Sequence, residues 1–153
     1  CNPVPNSYAR LGANEAPLYV SWSRQNRSQL VRLPSAVGDL CRVELRCPDP
    51  AGNPYLVIGL ILAAGLDGID RNLPLPDAVN RNLFCPGAAQ GLESLPRTLR
   101  EAITVAAQSE FISQELPTAL QSKYFEYQTL LCHDFESATD PAAWNRQHGF
   151  LIL

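Results

Sequence analysis

A chain of 153 residues is long enough to bury one core, and 46% apolar with 18% charged residues is the composition of a folded domain, not of a disordered segment. The net charge of −3 gives no general reason to expect nucleic acid or an anionic membrane as partner. The five cysteines (Cys1, Cys41, Cys47, Cys85, Cys132) include no C-x-x-C pair, so a zinc site built from cysteine is not expected, and reduced thiols in a cytoplasmic protein are the simplest reading.

The chain begins at Cys1 and contains no methionine, so a piece of a longer protein or a processed product is expected. There is no signal-peptide pattern at its start, and the most apolar run, residues 56–66, is too short to span a bilayer and is followed by Asp67. Residues 1–50 read as strand-rich. Segments 18–23 (LYVSWS), 29–33 (QLVRL) and 41–47 (CRVELRC) are β-branched or aromatic runs split by polar turns, with Gly38-Asp39 in the connection between the last two. In the third run Arg42, Glu44 and Arg46 alternate with Cys41, Val43, Leu45 and Cys47, which puts plus, minus, plus on one face and places Cys41 and Cys47 as small core residues.

Pro48-Asp49-Pro50 ends that strand, and Asn53-Pro54 predicts a helix over 54–70 with Asn53 as N-cap and Pro54 at the first helical position. This segment is apolar nearly all round, so a buried helix is expected. Residues 71–97 hold four prolines and read as a long surface loop. Helices follow over about 98–107, 109–115 and 118–131, the last with Leu120, Tyr124, Tyr127 and Leu131 continuing an apolar face from Leu116. The helical part thus covers 53–131, and the tail 132–153 carries no clear pattern. Strands first and helices afterwards predict an α+β fold of antiparallel strands followed by packed helices.

Seven charged residues in the strand-rich part stand out: Arg10, Glu15, Arg27, Arg32, Arg42, Glu44 and Arg46. A lone arginine on a strand is ordinarily solvated, and an R-x-E-x-R strand can be a surface ion-pair ladder worth little. Here five guanidinium groups face two carboxylates beside an apolar helix. Such an excess is expensive to bury unless an anionic ligand supplies the missing charge, and arginine grips phosphate and carboxylate with two prongs. A glutamate among them suits a divalent cation that bridges phosphates. The residues alone therefore point to a phosphorylated or carboxylated ligand with a metal.

The runs NSYARLGANEAP (6–17), NRS (26–28), VRLP (31–34), RVELRCPDP (42–50) and NPYL (53–56) closely resemble the C-terminal part of the catalytic domain of glutamine synthetase. AAGLDGI (63–69), NLF (82–84) and the Leu95-Pro96-x-x-Leu99 pattern are similar too, and the ordered motifs cover about residues 6–99. The resemblance implies a glutamine-synthetase-type catalytic sheet and an ATP-dependent ligase that forms glutamine from glutamate and ammonia through a γ-glutamyl phosphate. It implies Mg2+ or Mn2+ with ATP as substrate, and a homo-oligomer of stacked rings as the full-length assembly. Arg10 would grip the glutamate carboxylate, with Arg46 as the second glutamate-binding arginine. Glu15 would belong to a flap that forms the ammonium site and takes a proton from it, since ammonium has no lone pair for attack. Arg27 and Arg32 would hold nucleotide phosphates and the transferring group, Arg42 would stand near the nucleotide, and Glu44 would be one metal ligand.

Several positions depart from the family's pattern. The loop between Arg10 and Glu15 is one residue short, the connection 34–42 is short and lacks a lysine, and Phe84 replaces a regulatory tyrosine and so excludes adenylylation there. The tail 132–153 fits the usual ending poorly, and His133 and His148 within it are read as surface or packing residues, not metal ligands. One glutamate cannot satisfy a divalent ion that wants six or more oxygens, so the chain by itself is expected to be inactive. Two other readings stay open: a γ-glutamyl-amine ligase of the same superfamily that uses a polyamine, and a non-catalytic assembly or binding module.

Overall fold

Asn53 and Pro54 start the longest apolar element, as their order predicts. In the computed structural model, which describes residues 1–13 and 16–148, helix α1 spans Pro54–Asp70. The Asn53 side chain accepts hydrogen bonds from the Tyr55 and Leu56 amides at 3.0 and 3.3 Å, satisfying two of the N–H groups that a helix start leaves open. The chain divides into two compact units. A helical unit comprises Cys1–Ala9, Asp49–Leu73 and the described residues from Pro96 on; an arginine-rich unit comprises Arg10–Pro48 and Pro74–Leu95.

In the helical unit, α1 is followed by α2 (Leu99–Ala107), α3 (Glu110–Glu115), α4 (Thr118–Glu136) and α5 (Pro141–His148). Thr98 caps α2 by accepting from the Glu101 amide, and Ser109 caps α3 by accepting from Ile112. The core gathers Val4, Leu99, Leu131, Cys132 and Trp144, with Tyr8, Ile103 and Phe135 packed against them. Helix α4 runs five residues past its predicted end. Its expected apolar face is only partly used: Leu131 is buried, whereas Leu120 and Tyr127 are exposed and Gln128 is buried in their stead. The cause is that the last turns of α4 pack into the core while its first turns flank a cavity of about 140 Å3 lined by Leu60, Leu116, Tyr124 and Phe125. Burial there pushes the Tyr124 phenol up.

The tail, unassigned from the sequence, is anchored as far as His148. Trp144 donates from Nε1 to Asp134 at 2.6 Å, meets Phe135 edge-on at 5.2 Å and stacks on His148 at 4.3 Å.

The expectation that α1 is buried is corrected. None of its residues is buried, and Ile58, Leu62, Leu66 and Ile69, spaced along one face, are 58–74% exposed. The helix is apolar all round, but this unit supplies partners on one side only, where Leu56, Val57 and Leu60 line the cavity. Among the described residues no helix is long and apolar enough to cross a membrane.

Arg100 on α2 and Glu136 at the end of α4 form a two-pronged ion pair, with Arg100 Nε donating to Glu136 Oε1 at 2.9 Å and Nη2 to Oε2. The guanidinium holds the Glu136 carboxyl down at about 2, from an ordinary 4.5. A carboxyl depressed on folding stabilises the fold above its unfolded value and loses that contribution as pH falls through the folded one. The melting-temperature advantage of the native protein over Glu136→Gln should therefore be full above pH 5 and fade towards pH 2; a difference independent of pH over that range would contradict the pair's role.

The arginine-rich unit is built on a three-stranded sheet of β1 (Trp22–Arg24), β2 (Val31–Leu33) and β3 (Glu44–Leu45), in the order β1-β2-β3. All three strands are shorter than predicted. β2 and β3 are antiparallel, pairing Val31 with Leu45 and Arg32 with Glu44, as expected. β1 and β2 differ from the antiparallel expectation: they run parallel, Trp22 beside Val31 and Ser23 beside Arg32. A parallel return ordinarily takes a dozen or more residues. Here residues 25–30 achieve it, starting from Gln25 in the left-handed region at φ 70°.

The predicted strand over 41–47 contracts to two residues, because a short 3-10 turn at Gly38–Leu40 delivers the chain to the sheet only at Glu44. Leu40, Cys41 and Val43 are consequently exposed, so Cys41 is not the core residue the alternation predicts, whereas Cys47 is buried. No disulfide joins the five cysteines, with Cys47 and Cys132 buried and Cys1, Cys41 and Cys85 exposed. Residues 74–95 are less loose than a surface loop. They form no helix, but Val20 and Leu95 donate to the Glu93 and Leu18 carbonyls at 2.9 and 2.7 Å, Val79 donates to Trp22 at 2.8 Å, and Leu83 is buried.

Candidate functional site

Glu44 on β3 lies directly across the ladder from Arg32 on β2, so the strands bring opposite charges within reach without any bend. Arg32 Nη1 donates to Glu44 Oε2 at 2.7 Å, and Arg42 donates to Glu44 Oε1 from Nε at 3.0 Å and lies 2.9 Å away at Nη2. One carboxylate thus serves two guanidinium groups, an oxygen to each. Arg32 and Glu44 are mostly covered, at 17% and 26% side-chain exposure, while Arg42 is 53% exposed. The cluster carries one positive charge in excess. Among the described residues, the buried Arg32 Nε has no hydrogen-bond partner. A buried donor left unmatched costs about 1–3 kcal/mol, and an anionic oxygen would satisfy it.

The other predicted residues fall around this pair. Arg46 follows β3 and its amide donates to the Leu30 carbonyl at 2.9 Å, extending the β2–β3 ladder by one bond. Arg10 reaches across the sequence to donate from Nη2 to the carbonyl of Cys47, next in chain to Arg46, so the two arginines predicted to share a carboxylate are brought to one end of β3. Arg27 stands exposed on the return between β1 and β2. Glu15 lies outside the described residues. The turn leading to it depends on Gly12, whose φ of 82° favours glycine and whose amide bonds Ala16 at 2.9 Å; an added Cβ would come 3.3 Å from Leu18.

Three residues that carry no role in the sequence reading turn out to organise the Arg27 loop. Asn26 accepts from the Ser28 amide and hydroxyl at 2.9 Å each, and donates to the carbonyls of Asn80 and Arg81. Ser28 accepts from the Leu83 amide at 2.9 Å, and Gln29, fully buried, donates to the Arg81 carbonyl at 3.0 Å. The available signal is Asn-x-Ser around an arginine, a pattern that favours local side-chain to backbone turns.

ATP phosphates and a divalent cation place different demands on these residues. The arginine excess and the unmatched Arg32 Nε fit phosphate oxygens. A resident metal does not fit this chain by itself: among the described residues no three His, Cys, Asp or Glu side chains gather to hold one, and both Glu44 oxygens already accept from arginines.

Residues 1–147 match the family model "Glutamine synthetase, catalytic domain". The chain belongs to the glutamine synthetase family. The match extends into the tail as far as residue 147. The glutamine synthetase of Methanosarcina mazei is 41% identical over 155 aligned positions, covering 98% of this chain and 35% of that protein. That of Clostridium saccharobutylicum is 41% identical, covering 88% and 33%, and that of Staphylococcus aureus is 40% identical, covering 85% and 30%. A solved structure described as "GmaS/ADP complex-Conformation 1" superposes with a TM-score of 0.77 at 31% identity, over 95% of this chain and 34% of that one. The chain thus spans about a third of the length of these glutamine synthetases and holds a fragment of their catalytic domain, with the α+β arrangement of the family. Glutamine synthetases generally use ATP and divalent metal ions.

Proposed function

We propose that this chain is the part of an ATP-dependent glutamate–ammonia ligase that grips the phosphates and the glutamate carboxylate while γ-glutamyl phosphate forms and ammonia displaces phosphate from it. The observation that carries this reading is the pairing of Arg32 and Arg42 on one Glu44 carboxylate, with a spare positive charge and a buried N–H unmatched among the described residues. Transfer of a phosphoryl group is mainly a matter of position and charge neutralisation, which is what fixed guanidinium groups supply.

In this reading Arg27, Arg32 and Arg42 hold the nucleotide phosphates and the transferring group, and Arg10 and Arg46 bind the glutamate carboxylate. Glu15 completes the ammonium site and takes its proton. Glu44, whose oxygens keep lone pairs beyond those its two arginines use, would contribute one carboxylate towards a Mg2+ or Mn2+ ion, with the remaining ligands supplied by the rest of the full-length protein. A bound metal would supply charge neutralisation to the phosphates. A cytoplasmic, ring-forming homo-oligomer belongs to the same reading.

The test is phosphate release by a full-length protein carrying this chain, with ATP, glutamate and either ammonia or a polyamine as acceptor. Turnover with ammonia is expected, and none from the 153 residues alone. Release that requires a polyamine and ignores ammonia would reassign the acceptor. The isolated chain is also expected to self-associate through Ile58, Leu62, Leu66 and Ile69, which light scattering reads directly; a monodisperse monomer would count against it.

A further inference from the structure

Arg27 is an exposed side chain on a six-residue return. Its neighbours are held down on both sides. Asn26 is bonded to Ser28 within the return and to the carbonyls of Asn80 and Arg81 beyond it, at 3.2 and 3.0 Å. Ser28, 2% exposed, bonds the buried Leu83 amide, and Gln29, at 0%, bonds Arg81. The same partner segment is fastened to β1 by Val79 donating to the Trp22 carbonyl and Trp22 Nε1 donating to Pro76 at 2.7 Å.

We propose that Asn26, Ser28 and Gln29 are positioning residues: they clamp the return to the backbone of residues 80–83, and this clamp, not local turn propensity, sets where the Arg27 guanidinium stands. The buried Gln29 supports this. Its Oε1 has no partner among the described residues, so what the burial secures is its N–H bond to Arg81. The inference rests on the reading of Arg27 as a phosphate-binding residue.

A double-mutant cycle in a full-length protein carrying this chain tests it. Misplacing a positioned group by about 1 Å costs on the order of 10²-fold in rate. Ser28→Ala should therefore lower kcat by about 10- to 100-fold in the native background with less effect on the KM for glutamate, and Gln29→Leu should act in the same direction. In an Arg27→Ala background Ser28→Ala should add almost nothing, because residues acting through one another are not additive. Ser28→Thr, which keeps the hydroxyl, should recover part of the loss. Additive losses would mean that Ser28 supports the fold without acting through Arg27, and would overturn the clamp. A silent Ser28→Ala beside a strongly impaired Arg27→Ala would overturn it as well, leaving the phosphate reading standing. Full activity in Arg27→Ala would remove both.

Discussion

Replacing Arg32 by alanine is expected to lower kcat in a full-length protein carrying this chain by roughly 10³-fold, within the range of about 10³–10⁵ that a single phosphoryl-contacting arginine supplies. Arg32 is on the central strand, mostly covered, bonded through Nη1 to Glu44 and, among the described residues, left with an unmatched Nε. Its position is therefore fixed before any substrate arrives, and a preorganised charge stabilises developing negative charge without reorganising at the moment of reaction. Arg32→Lys should fall short of rescue. An ammonium keeps the charge but lacks the planar fork that bonds Glu44 on one edge and a phosphate oxygen on another. Steady-state kinetics with ATP and glutamate reads the result, and a loss smaller than tenfold in Arg32→Ala would remove the transferring phosphate from this residue's neighbourhood.

The second large effect falls on Glu44. Glu44→Gln removes the one negative charge shared by Arg32 and Arg42 and leaves two guanidinium groups facing an amide. Breaking a buried pair costs about 3–5 kcal/mol, but these side chains are 17–53% exposed, so screening brings the expected loss to about 1–2 kcal/mol. Loss of activity alone would not separate a metal-binding role from a charge-balancing one; thermal denaturation does. If Glu44 balances the arginines, inorganic phosphate should raise the melting temperature of Glu44→Gln more than that of the native protein, since the anion then replaces the missing carboxylate. Equal shifts in the two proteins would show that the arginines do not converge on a common anion.

Local signals explain most of what the sequence revealed. Asn53-Pro54 sets the start of α1 because cap and first-turn chemistry act within three residues, and Thr98 and Ser109 start α2 and α3 for the same reason. The strands were harder to read. Two or three residues carry too little pattern to locate a strand, and β1 lies parallel to β2 because the intervening return is tied to residues 80–83, some 50 positions away. The exposure of α1 does not follow from its composition, because an apolar helix records what it can pack against, whereas its exposure depends on which partners are present.

At the site, the surplus of arginine over carboxylate is visible in the sequence, whereas the placement of Arg32 opposite Glu44 comes from the strand register. The clamp around Arg27 was not visible, because its partners are main-chain carbonyls and an amide, to which the sequence gives no letter.

The two covered thiols offer a practical consequence. Cys47 belongs to the arginine-rich unit and Cys132 to the helical one, and burial raises the pKa of each and so suppresses its nucleophilic form. Each unit therefore carries its own latent alkylation target. Timed maleimide labelling across a denaturant series, with peptide mass mapping, would yield a separate opening curve for each half of the chain from one sample, and would tell whether the two melt cooperatively or in sequence.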